Sequence, residues 1–189
     1  MTRLAVVAYP ALSEDDRRWI EGIRARHDPL AIRIAAHFTL VFPTEVAEAL
    51  VVAQVRSSVR FAESIPVVLR RAAVCPDPIA GGYYVSLLPE NGYPELLALH
   101  DALYDGVLAI HRRRDIAFTP HVTLGRHDQV SQCERIANQL NEERRSVRAR
   151  VNSVDVVEVT DSAVRTVAKI SLGPRGSRPT AGVARARLH

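Results

Sequence analysis

His37-Phe38-Thr39-Leu40 and His121-Val122-Thr123-Leu124 share one pattern: histidine, apolar residue, threonine, apolar residue. Each string lies inside an apolar run of the kind that forms a strand. In a strand, residues i and i+2 point to the same side. His37 therefore shares a face with Thr39, and His121 with Thr123. Phe38, Leu40 and Phe42 take the other face of the first run, and Val122 and Leu124 that of the second. If the apolar sets pack beneath helices, two imidazoles and two hydroxyls are left on open surfaces.

Working outward from these strings, the two halves are built alike. Residues 4–9 read as a buried strand. Ser13 reads as a helix N-cap, and Glu14, Asp15 and Asp16 suit the positive end of that helix. The helix stops at Asp28-Pro29. A strand over 32–42 carries the first motif, and a helix from about 45 to 59 comes after it. Strands are expected at 65–74 and 83–88, then a long helix from Pro94 to about Ile110. A strand over 116–124 carries the second motif, succeeded by a helix over 131–143 and closing strands at 147–160 and 164–172. This order predicts an α+β, two-lobed, duplicated fold, with two antiparallel sheets facing a central cleft and helices packed outside. Residues 1–173 are expected to form one bilobal unit. Residues 174–189, rich in arginine, glycine and proline, read as a basic, disordered tail.

Composition narrows the class. With 189 residues and 47% hydrophobic content, the chain reads as a folded globular protein rather than a disordered one. No apolar run approaches the ~20 residues of a membrane span. The apolar start is short and ends at Pro10, unlike a signal peptide, so a cytoplasmic location is expected. Cys75 and Cys133 lack metal-ligand spacing and are expected to be free thiols. The net charge is +4, carried almost wholly by arginine, since Lys169 is the only lysine. Arginine forks suit phosphate oxygens, so a nucleotide or RNA ligand is compatible with this balance.

Two histidines on opposite sides of one phosphorus can remove a proton from a nucleophile and deliver one to a leaving oxygen near neutral pH. Threonine hydroxyls at i+2 can donate to the non-bridging oxygens. This set demands no metal or other cofactor.

Ala36-His37-Phe38-Thr39-Leu40, and the longer string from Phe118 through Thr119, Pro120 and His121 to Arg126, resemble the paired signatures of the 2H phosphoesterase superfamily. That superfamily includes bacterial 2′-5′ RNA ligase-like proteins and cyclic phosphodiesterases. Arg26-His27-Asp28-Pro29 and Val41-Phe42-Pro43 are also similar to its small bacterial members. The resemblance implies a pseudo-twofold, bilobal fold, with His37 and His121 as the catalytic pair and Thr39 and Thr123 as phosphate ligands. It implies metal-free action on 2′,3′-cyclic phosphates, 2′-5′ linkages or a cyclic phosphate of ADP-ribose. No membrane or obligate protein partner is expected.

Other residues carry weaker signals. Arg126 would point away from His121 by strict alternation, but Gly125 can relax the strand, so a substrate contact stands beside a surface ion pair. Tyr84 is a candidate base-stacking surface or a partly buried core tyrosine. His127 is expected to be a solvated loop residue, and His100 and His111 structural or exposed. Arg112-Arg113-Arg114 suits the end of the long helix. The alternatives to an enzyme of this type are a non-catalytic RNA or nucleotide binder on the same fold, and a metal-dependent hydrolase using His121 with His127.

Overall fold

The computed structural model describes residues 3–174, so the expected tail lies almost wholly outside the described residues. Strands β1 (Arg3–Ala8) and β2 (Ala11–Leu12) precede helix α1 (Glu14–His27), strand β3 (Phe38–Thr44) and helix α2 (Glu48–Ser58). Strands β4 (Ile65–Pro76) and β5 (Tyr83–Asn91) form a hairpin, followed by α3 (Tyr93–Leu103) and a 3₁₀ turn at Gly106–His111. The chain continues with β6 (Val122–His127), α4 (Val130–Glu142), β7 (Val147–Val151), β8 (Ser153–Val159) and β9 (Val164–Ser171).

Two antiparallel sheets result, one in the order β3-β1-β8-β9 and the other β2-β7-β4-β5-β6. This is the expected α+β architecture of two antiparallel sheets. Each sheet carries its motif strand at an edge, next to β1 in one and β5 in the other. One apolar cluster draws on both sheets and all four helices. A smaller one, Ala5, Val7 and Val157 with Tyr9 and Ile34 against them, lies on the opposite face of the first sheet, the face of Thr39.

Local chemistry explains most boundaries. The Ser13 side chain accepts from the Asp16 amide at 3.1 Å, as an N-cap should. Three expectations are corrected. The motif strands begin later than expected, at Phe38 and Val122, because residues 29–36 and 112–121 are turns and irregular backbone. The long helix after Pro94 breaks after Leu103. Gly106, at φ 53°, packs so closely on the Gln54 side chain that a Cβ there would lie 2.3 Å from its Oε1. The stretch 147–160 is two strands, which part at Asn152 and join different sheets.

The helices cross over. α1 leads into β3 of the first sheet yet covers β6 of the second, whereas α3 follows β5 of the second sheet and packs on β3 of the first. Each motif strand is thus backed by a helix from the other half of the chain.

Candidate active site

The two motifs are bent in the same way. Between β1 and β3, Val7 pairs with Thr39 and Val6 with Val41, leaving Leu40 as an extra residue. Between β5 and β6, Ser86 pairs with Thr123 and Val85 with Gly125, leaving Leu124 extra. The fourth residue of each motif is therefore a β-bulge, which re-aims the side chains beyond it. Phe38, Leu40 and Val41 are all buried, as are Val122, Leu124 and Gly125. The threonine between them stays half-buried on the other face. The bulge also returns the next residue to the threonine's face. Phe42, expected beneath with Leu40, is on this side. Arg126 pairs with Tyr84 and shares the face of Thr123 instead of pointing away.

His37 and His121 stand one residue ahead of their strands and are held alike. The Nδ1 of His37 lies 2.8 Å from the Ala35 carbonyl, and that of His121 lies 2.7 Å from the Thr119 carbonyl. A carbonyl only accepts, so each Nδ1 carries the proton and each Nε2 presents a lone pair. Among the described residues, neither Nε2 nor either threonine hydroxyl has a hydrogen-bond partner. Continuing the register past Ala8 and Phe38 brings Tyr9 beside His37, and their rings meet edge-on at 6.1 Å. The fully buried Ser86 hydroxyl, opposite Thr123, also lacks a partner.

Both imidazoles resist protonation. Burial pushes His37 down to about 4, and the nearby Arg24 guanidinium and His121 add to the fall, against the Ala35 carbonyl and Asp28. Burial likewise lowers His121, against the Thr119 carbonyl.

Arg126 and Tyr84 are brought together, but by a third residue. Asp77, buried in the β4–β5 loop, accepts from the Tyr84 hydroxyl at 2.7 Å and from Arg126 Nε at 3.4 Å. It also accepts from the amides of Ile79 and Ala80. Burial opposes the Asp77 charge, yet these donors hold its carboxyl below the usual range. Burial and that carboxylate push Tyr84 up to about 12. Arg126 further donates to the Gly81 carbonyl at 2.6 Å. Its fork therefore fastens the loop that borders this face. His127 lies against His27, ring centroids 5.6 Å apart, on the side of β6 that faces α1 rather than with His121. Among the described residues, no group of three His, Cys, Asp or Glu side chains is placed to hold a metal ion.

A model of the 2′-5′ RNA ligase superfamily matches residues 12–163. The chain belongs to that superfamily. Solved members of the fold resemble it over nearly their whole length. Escherichia coli LigT with 3′-AMP superposes with a TM-score of 0.60 at 17% identity, covering 90% of this chain and 98% of that one. TT0787 of Thermus thermophilus gives 0.59 at 20% identity, covering 92% and 99%. Usb1 of Kluyveromyces marxianus gives 0.53 at 11%, covering 90% and 98%. No curated protein matches the chain in sequence. As a 2′-5′ RNA ligase superfamily member, it has the LigT-like fold that the duplicated motif implied.

Several residues that shape this site were missed in the sequence. His100 is buried, with Nδ1 donating to the Leu40 carbonyl at 2.8 Å, and its ring stacks flat on Phe118 at 3.7 Å. It ties the first motif strand to the approach to the second. Glu21, Arg24 and Asp28 form a buried ionic group beneath residues 30–36. A signal was present: Arg24 falls on the apolar stripe of Ile20 and Ile23, with acids at i−3 and i+4.

Proposed function

We propose that the protein is a phosphoesterase acting on 2′,3′-cyclic phosphate or 2′-5′ phosphodiester linkages of nucleotides or RNA ends, by two-histidine general acid–base catalysis. The observation that carries this reading is the matched pair of imidazoles. Each is locked with Nδ1 protonated and Nε2 open, and each has a threonine hydroxyl two residues on with no partner of its own. That E. coli LigT has been solved with 3′-AMP, with ATP and with NADP+ supports a nucleotide as the ligand of such a cleft.

In the hydrolysis of a 2′,3′-cyclic phosphate, one Nε2 takes a proton from water as its oxygen attacks phosphorus. The P–O3′ bond breaks, and the second imidazolium passes its proton to the departing 3′-oxygen. The product is a 2′-phosphate, and the pair ends with its one proton exchanged between rings. Thr39 and Thr123 hold the non-bridging oxygens. Burial disfavours a proton on both rings, and the Arg24 charge acts against one on His37 alone; on that difference in charge we assign His37 as the base and His121 as the acid.

An assay with chelator present, over 2′,3′-cyclic nucleotides, 2′-5′ dinucleotides and ADP-ribose cyclic phosphate, tests this. His37→Ala and His121→Ala should each lower turnover ~10²–10⁴-fold. A substrate with sulfur at the 3′-bridging position leaves without a proton, so it should restore His121→Ala and not His37→Ala. Wild-type turnover in both alanine variants would overturn the mechanism. Binding without turnover of any of these substrates would favour a nucleotide-binding protein.

A further inference from the structure

We propose that Glu21 and Arg24 are positioning residues, parts of a buried ionic clamp that sets the His37 imidazole; this rests on the reaction proposed above. Arg24 is only 1% exposed, a rare condition for a charge. Its Nε and one Nη reach Asp28 Oδ2 at 3.0 and 2.8 Å, and its other Nη reaches Glu21 Oε2 at 2.9 Å. These side chains also grip the backbone that leads into His37. Asp28 Oδ1 accepts from the Leu30 amide at 2.9 Å, Arg24 donates to the Ile34 carbonyl at 2.8 Å, and Glu21 Oε1 accepts from the Ala36 amide at 2.7 Å.

Ala35 lies between the last two grips, and its carbonyl holds His37 Nδ1. A peptide plane fixed on both sides cannot rotate its carbonyl away. The segment forms neither helix nor strand and leaves Ile32 91% exposed; its other ties are turn hydrogen bonds from the Ala31, Arg33 and Ile34 amides and the packing of Ile34 and Ala36, none of which holds the Ala35 carbonyl. A buried ion pair is a weak source of stability compared with apolar packing, so its value here is geometric. The second motif has no ionic counterpart among the described residues. Its approach is held by the stack of Phe118 on His100.

Glu21 permits a test that separates reach from charge, because it is half-exposed and replaceable. Glu21→Asp keeps the charge but falls one methylene short of the Ala36 amide. Glu21→Gln keeps the reach and one accepting oxygen, enough for the Ala36 amide, but loses the charge and the acceptor that faces Arg24. The clamp predicts that Glu21→Asp lowers kcat ~10–100-fold with KM within about twofold, since small misplacement of a catalytic group is costly. Glu21→Gln should stay within about threefold of wild type. The downfield Nδ1 proton resonance of His37, identified by its loss in His37→Ala, should persist in Glu21→Gln and broaden or vanish in Glu21→Asp. The reverse order, equal losses, or wild-type kcat with an intact resonance in Glu21→Asp overturns the clamp. If wild-type protein turns over none of the substrates, the proposed reaction fails, and the resonance alone decides the clamp.

Discussion

Neutral imidazoles set the pH behaviour of the candidate site. In the free protein His37 gains its proton only near pH 4, and His121 below its ordinary 6.5. A base must be unprotonated, so its contribution is lost as pH falls through about 4. An acid must be protonated, so its contribution is lost as pH rises through the lowered value of His121. Because kcat/KM reports the free protein, its maximum should lie between about 4 and 6.5, falling on both sides. A bound phosphodiester anion raises both values, so the kcat profile should be displaced to higher pH. Initial rates across pH 3.5–9 on a cyclic nucleotide check both expectations, and coincident profiles with an optimum above 7 would contradict them.

At the scale of elements, the two bulges decide which side chains share a face with the motif threonines. Plain alternation placed the histidine and threonine of each motif correctly but put Phe42 on the wrong face, because a bulge spends one residue without changing faces. The repeat of the bulge at Leu40 and at Leu124 is specified by neither residue; it comes from register against β1 and β5. Gly125, the residue after the second bulge, lies directly against α1. A Cβ there would lie 2.8 Å from the His27 Cβ and 3.2 Å from the His27 carbonyl oxygen. The close approach of α1 to β6 therefore requires a residue without a side chain. Gly125→Ala should destabilise the fold by about 1–3 kcal/mol through overpacking, read as a lower urea midpoint at unchanged m-value. An unaltered midpoint would mean that α1 shifts freely, and that Gly125 does not set its approach.

At the scale of the whole molecule, the crossed helices make one core of two similar halves. Burial lowers the pKa values of His27, His37, His100 and His121. Their folded values lie below the unfolded 6.5, so the unfolded chain binds more protons as pH falls. Stability should then decline from about pH 6.5 toward 4. Asp155, raised by burial, works the other way, whereas the lowered Asp77 carboxyl adds to the decline. Melting temperatures across pH 4–8 test this. His37→Gln should show a flatter decline than wild type, and a Tm rising toward pH 4 would refute the reading.

The sequence by itself determined the class of fold and singled out the candidate chemistry-bearing set. His-x-Thr-x needs only the period of a strand to put an imidazole and a hydroxyl on one side, and apolar periodicity supplies the order of helices and strands. Local chemistry also decided the Ser13 cap and the end of α1 near Pro29. What the tertiary structure alone decided depends on partners distant in sequence. Where 147–160 divides between two sheets, how far the bulges turn Phe42 and Arg126, and which helix backs which motif are matters of register and packing. The Arg24 clamp is of this kind, because its charges are tolerable in the interior only once the chain folds Ile34 and Ala36 against them. So too is the depressed basicity of both histidines, which comes from burial that no local pattern encodes.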